Sequence, residues 1–462
     1  MSQFTEMEYP VTQKTRPTGM LGFTIVWIGQ VISLLGSGMT WFALTIWAWE
    51  ITGQATALAL VGFFSFGPTV LLSPIAGALV DRWNRKLVMM LSDLAAGLMT
   101  VIILLLYAMD NLQIWHLYVT GALAGAFQAF QFPAYSAAVT TMLPKEQYAR
   151  ASGMLSLAEG AAGIFAPLAG GILLGLIDVT GIMAIDVITF VVAIGALLVV
   201  HIPQPETTEA GRAGKGSIWR ESVYGFSYIL ERPSLLGLQL VFLAINLIAI
   251  FGFTVLSPMI LAQTDNDEIL LGSVRSAMGF GGVIGGLLLS VWGGPKRRVH
   301  GVLLGMALSC LLGMLVLGLG NGLAIWIVGA FFSSFFIPII NGSNQAIWQA
   351  KVAPDVQGRV FATRRLIAQI SAPVAMLLSG PLADHVFEPA MMAEGSLAGI
   401  FGKLVGTGSG AGMALMFVIT GVLGTLVGLG GYAFPVVRNA EDILPDHDAA
   451  AGLSAAGSDS EQ

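Results

Sequence analysis

Apolar stretches long enough to cross a bilayer recur along most of this chain, and only short polar loops separate them. They lie near Leu21–Trp49, Ala57–Val80, Leu87–Met109, Ile114–Leu143, Ala151–Ile177 and Ile182–Val200, then near Leu235–Ala262, Leu270–Trp292, Val302–Gly320, Ala324–Ala350, Val360–Leu382 and Ala411–Phe434. A span needs about 20 apolar residues, and lipid offers backbone groups no hydrogen-bond partner, so each stretch must close its bonds as a helix. Only 10% of residues are charged, against roughly 25% in soluble domains. The pattern predicts an all-α integral membrane protein of twelve helices in two six-helix bundles. The expected divisions are a first bundle over 1–202, a cytoplasmic linker over 203–233, a second bundle over 234–437 and a disordered acidic tail over 438–462. Within the linker, Ile218–Leu230 has an amphipathic pattern suited to the membrane surface. The polar start and the long first apolar segment read as a retained span, not a cleaved leader.

Cationic residues fix the orientation. Of 21 Lys and Arg, only Arg275 and Lys403 fall on the outer side when the N-terminus is placed inside. The positive-inside rule therefore puts both termini in the cytoplasm; the expected location is the plasma (inner) membrane. Arg275 opens the eighth span near the outer face, where snorkelling accounts for it. The single cysteine, Cys310, reads as a small packed apolar residue.

The two halves echo each other. Asp81-Arg-Trp-Asn-Arg-Lys86 follows the second span, and Gly293-Gly-Pro-Lys-Arg-Arg298 follows the second span of the other half. Phe132-Pro133 is likewise matched by Ile337-Pro338. Paired halves of this kind place a transport site at their interface. Asp81, Arg82, Arg85 and Lys86 stand where the second span leaves the membrane, after Gly77, which allows close helix contact. A carboxylate there can accept from a helix N-terminus while the bases bind carbonyls or acids, which would latch the halves in one state. Plain anchoring on the positive side is the alternative.

This loop resembles the G-x-x-x-D-R-x-G-R-K/R signature of the major facilitator superfamily, with Asn84 in place of the usual glycine. The resemblance extends over all twelve spans and implies a cytoplasmic gate at Gly77, Asp81, Arg82, Arg85 and Lys86. In the fifth span, Ala166-Pro167-Leu-Ala-Gly170-Gly171 resembles the G-P-x-x-G-G core that marks exporters in that family. Proline can bend the helix there and the glycines allow close packing; a generic kinked helix is the alternative.

Glu159 lies eight residues inside the same span, roughly 12 Å from its cytoplasmic start, and shares a helical face with Gly163, Ala166 and Gly170. An ionisable group at that depth is costly, and a carboxyl that loads and releases a proton is a natural coupling device. Asp93, on the third span, is the second proton-coupling candidate; Asp93 and Asp186 also read as structural hydrogen-bonding groups. Asn341, Asn344, Gln345 and Trp348 make one stripe in the tenth span, Gln128 and Gln131 share a face in the fourth, and Gln30 and Asn246 complete the candidate substrate-binding set. Amides beside many Met and Phe residues suit a large, amphipathic, neutral or weakly charged molecule, although any one amide can instead bond helix to helix.

No phosphate-binding loop, nucleophile triad, Cys/His metal cluster or basic aromatic surface occurs, so the chain reads as a non-enzyme with no cofactor, no metal and no nucleic-acid partner. Its expected partners are an amphipathic small molecule, protons and membrane lipids, and it is expected to be monomeric. The resemblance narrows to the drug–proton antiporter branch with macrolide-efflux and siderophore exporters, on Arg359-Val-Phe361 and Gly380-Pro-Leu-Ala-Asp384 as well. It implies export by proton-coupled alternating access. A nutrient importer and a lipid or lysophospholipid flippase remain compatible with the residues.

Overall fold

A computed structural model describes residues 17–80, 83–144, 147–203, 225–352 and 357–444. Ten helical stretches among them are long and apolar enough to cross a membrane. Helix Ile114–Met142 adds another, and the stretch Tyr148–Val199 breaks at Asp178, where φ is 59° and ψ 176°. The twelve expected spans are therefore present. In the N-terminal half they are α1 (Gly19–Thr52), α2 (Ala55–Val80), α3 (Arg85–Ala108), α4 (Ile114–Met142), α5 (148–177) and α6 (179–199). The C-terminal half holds α7 (Pro233–Gln263), α8 (Glu268–Trp292), α9 (Arg298–Leu319), α10 (Leu323–Lys351), α11 (Gln357–Leu382) and α12 (Ala411–Gly430).

Large apolar side chains face outward on every side, including Leu71, Leu105, Leu176, Leu240 and Leu426. A water-soluble surface of this size would aggregate; in lipid it is the solvated surface. The chain is a multi-pass membrane protein. Local chemistry sets the helix ends. Asn84, standing where the signature has glycine, caps α3 by accepting from Leu87 N at 3.1 Å, and Asp267 caps α8 by accepting from Leu270 N at 2.8 Å. The matched prolines behave differently: Pro133 lies inside an unbroken α4, whereas Pro338 follows a break in α10 at Phe336.

The halves meet along α5 and α8, along α2 and α11, and where Trp49 Nε1 of α1 donates to Asn266 Oδ1 at 2.9 Å. Pro167 and Gly171 of α5 lie against Gly272 and Glu268 of α8, and Ser276 Oγ donates to the Ile164 carbonyl at 2.6 Å. These contacts lie in the outer half of the membrane. Toward the cytoplasm the contact continues to Gly160 and Val283, and beyond it Leu157 and Leu287 are exposed.

Two expectations are corrected. The acidic tail is ordered through Leu444: Glu441 accepts from Arg298 N and Val299 N at the start of α9, Arg297 pairs with Asp442, and Lys351 donates to the Glu441 carbonyl. A helix start with orphan N–H groups and a cluster of bases captures these acids, which overrides their disorder-prone composition. Residues 445–462 lie outside the described residues. Arg275 does not snorkel outward but turns into the outer half and donates to Ser257 Oγ of α7 at 2.7 Å. Of the amphipathic segment, only 225–230 is described; it is helical and buries Ile229 while Phe226 and Leu230 remain exposed. Replacing Glu441 with Ala uncaps α9 and should cost about 1 kcal/mol of stability. Thermal unfolding in detergent reads this as a lower midpoint, and an unchanged midpoint would contradict the capping role.

Candidate functional site

Lipid makes a carboxylate expensive unless the protein supplies its hydrogen bonds, so the carboxylates inside the N-terminal half locate its polar machinery. Asp93 on α3 is buried. Gln30 Nε2 of α1 donates to its Oδ2 at 2.7 Å, and Gln131 Nε2 of α4 donates to its Oδ1 at 2.8 Å. Gln131 Nε2 also reaches Gln30 Oε1 at 3.2 Å. One acid and two amides thereby tie three helices together. Gln131 Oε1 and, one turn along α4, the Tyr135 hydroxyl are buried without a hydrogen-bond partner among the described residues. The cluster therefore holds a spare acceptor and a spare hydroxyl beside the acid, which is what a carboxyl needs when it gains an O–H to donate.

A recess of about 270 Å³ lies immediately outward, lined by Ser37, Trp41, Ala96, Met99, Gln128 and Asp186 among others. Ser37, Ala96 and Gln128 stand one or two turns outward from Gln30, Asp93 and Gln131 on the same three helices. Asp186 of α6 closes its edge, accepting from Ser37 Oγ at 3.0 Å and Thr100 Oγ1 at 3.1 Å. Asp186 makes the structural hydrogen bonds expected of it and also stands in the recess wall. The C-terminal half has a smaller recess of about 140 Å³, lined by Asn246, Asn341, Phe253, Cys310 and Met314. It abuts a π-helical turn of α9, Ser309–Met314.

The expected substrate set therefore divides. Gln128, Asn246 and Asn341 line recesses, while Gln30 and Gln131 bind Asp93. The tenth-span stripe splits as well: Asn341 is exposed and Gln345 half-buried, but Asn344 and Trp348 are buried. The Trp348 ring faces the Arg364 guanidinium, centred 5.3 Å away. A stripe spans enough of the helix circumference that its two edges meet different neighbours.

Glu159 was expected to be buried at mid-membrane, and it is exposed. The surface of α5 that meets α8 runs through Gly160, Ile164, Pro167 and Gly171, and that meeting α1 runs through Ala166 and Gly170. Glu159 falls on the second of these lines, toward the cytoplasm from Ala166 and Gly170 and away from the exposed Phe165 and Ile172. Its neighbour Gly160 still meets Val283 of α8. The exporter element has a concrete role in the packing: Ala166 fits against Gly38 and Gly170 against Phe42 on α1, while Pro167 and Gly171 press on α8. A Cβ on Gly171 would lie 2.8 Å from the Glu268 carbonyl oxygen, and one on Gly272 would lie 2.7 Å from that of Pro167. Of the cytoplasmic gate set, Gly77 lies near the end of α2, Arg85 is buried, and Lys86 Nζ donates to the Leu198 and Val200 carbonyls at the end of α6. Asp81 and Arg82 lie outside the described residues.

Comparison with known proteins fits this architecture. The Major Facilitator Superfamily model matches residues 26–376. Macrolide efflux protein A of Streptococcus pyogenes is 27% identical over 79% of this chain and 90% of its own length. Multidrug efflux pump Tap of Mycolicibacterium fortuitum is 26% identical over 76% of this chain and 86% of its own. The fold is shared with a bacterial homolog of the human lysosomal transporter Spinster in an inward-facing, unoccupied conformation, at a TM-score of 0.66 and 15% identity over 89% of this chain and 96% of the other.

Removing the amide of Gln131 deprives Asp93 of a donor, so Gln131→Leu should cost roughly 1–3 kcal/mol of stability. Glu159→Gln, at an exposed position, should change stability by less than about 0.5 kcal/mol. Thermal unfolding of the two purified variants separates these roles, and equal losses would contradict the assignment.

Proposed function

The chain belongs to the Major Facilitator Superfamily, and from that membership we propose that it exports amphipathic small molecules of the macrolide or hydrophobic-drug class by proton-coupled alternating access, with no chemical conversion. The observation that carries this reading is the stacking of the Asp93 cluster directly beneath an apolar recess on α1, α3 and α4. The relatives named for macrolide and multidrug efflux, together with the exporter element packed between α1 and α8, favour outward transport of such compounds.

Each residue has a physical task in this scheme. Ionised Asp93 takes both amide donors. When it gains a proton, its new O–H needs an acceptor, and the unpartnered Gln131 Oε1 offers one after the amide turns over. The exchange reorders hydrogen bonds among α1, α3 and α4, the helices that shape the recess. Substrate entering from the cytoplasmic side and a proton arriving from outside thus compete for two arrangements of one set of helices. Coupling between them is a differential stability of those arrangements. Trp41, Met99 and Ile103 give the recess an apolar wall, and Gln128, Ser37 and Asp186 add polar groups that orient an amphipathic guest. Glu159, exposed on α5, is the second acid on the path, and the cytoplasmic gate set closes the inner side when the halves rock.

Expressing cells should accumulate less of a fluorescent drug or macrolide than control cells, and a protonophore should raise that accumulation. Asp93→Asn should accumulate as much as cells lacking the protein while still reaching the membrane, whereas Glu159→Gln should retain proton-driven export. Full export by Asp93→Asn, or loss confined to Glu159→Gln, would move the coupling away from Asp93. Accumulation above control that falls with the protonophore would reverse the direction of transport.

A further inference from the structure

The segment Gly380-Pro-Leu-Ala-Asp384 has no part in the recesses or in the Asp93 cluster, yet it repeats the G-x-L-x-D spacing of Gly77-Ala-Leu-Val-Asp81. The two occurrences stand at opposite membrane faces, one at the cytoplasmic end of α2 and the other at the outer end of α11. At the outer one the helix widens into a π turn over Ala383–Phe387. Such turns re-aim side chains and recur at functional positions. This one carries Asp384 across the boundary between the halves to the first turn of α2, where Ala55 N donates to Oδ1 at 2.9 Å and Thr56 N to Oδ2 at 2.7 Å. The acid satisfies two orphan donors and meets the positive end of the α2 dipole. One turn earlier Gly380 lies flush on α2: a Cβ there would be 2.5 Å from Thr56 Cα and 2.8 Å from Ala59 Cβ.

We propose that Asp384 and Gly380 form an outer latch that holds the inward-open state, a carboxylate of one half capping a helix of the other while the outer side is shut. The inference rests on the alternating-access reading above. Opening of the outer side withdraws Asp384 from Ala55 and Thr56, so the cap counts in one state alone. A neighbouring acid shows the contrasting case. Glu388 accepts from Gly410 N at 3.0 Å and Met413 N at 2.8 Å, at the start of α12 in its own half. That cap moves with its own half and carries no preference between states. The repeated spacing gives the pair a simple logic: the same five-residue pattern comes at the end of α2 inside and of α11 outside, and the outer copy stands beside the start of α2.

The test uses full-length protein with Cys310→Ser and spin labels at Gln54→Cys and Ser409→Cys, exposed positions on either side of the outer mouth. Pulsed electron spin resonance then gives the populations of short and long distances. Asp384→Ala should raise the ratio of long to short by roughly 2- to 30-fold, the worth of a helix cap. Gly380→Leu, which keeps the acid but forces the helices apart, should shift it the same way, and Glu388→Gln should leave it unchanged. Populations equal to wild type in both Asp384→Ala and Gly380→Leu, while a macrolide or a pH step still shifts the wild type, would overturn the latch and spare the transport reading. A wild type whose distances respond to neither would overturn both.

Discussion

The cost of a polar group in lipid organises this molecule. Every acid placed inside the N-terminal bundle must find donors on neighbouring helices, and in finding them it fixes where those helices sit. Asp93 draws α1 and α4 onto α3, and Asp186 draws α1 and α3 onto α6. Because the donors come from different helices, a change in charge at either acid changes a helix arrangement and not merely a side-chain rotamer. The recess lies between these two fixed points. Its shape therefore depends on the same bonds that keep the acids in the membrane.

The boundary between the halves follows a different physics. Lipid tails are as apolar as the helix surfaces, so association draws on close packing and a few hydrogen bonds. The outer half supplies both: glycines bring α5 against α8 and α11 against α2, while Ser276, Trp49 and Asp384 reach across with hydrogen bonds. Each is a small, geometry-dependent contact that separation of a few ångströms removes. A boundary built this way can close firmly and still open, which a large interdigitated apolar interface could not do as readily.

Much of the architecture was legible in the sequence because lipid imposes strong rules on composition. The spans, their orientation and the paired halves follow from apolar length and the placement of Lys and Arg, and the exporter element's small residues do provide close packing. Finer placement was not legible. Glu159 shares a helical face with Ala166 and Gly170, which pack on α1, yet it is exposed. Asn344 and Trp348 shared a stripe with Asn341 but turned inward. The partners of Asp93 come from residues 63 and 38 positions away, and those of Asp384 from 329 and 328. Periodicity reports which residues share a face, not which helix that face meets, and the π turn at Ala383–Phe387 has no periodic signature at all.

The central claim is that Asp93 carries the proton that substrate displaces. Purified protein in a weakly buffered solution with a pH indicator tests it directly, by recording the pH change when a macrolide is added near neutral pH. The account predicts that the wild type and Glu159→Gln release a proton on binding while Asp93→Asn still binds the compound and releases none. Release that survives in Asp93→Asn, or that disappears only in Glu159→Gln, would contradict it.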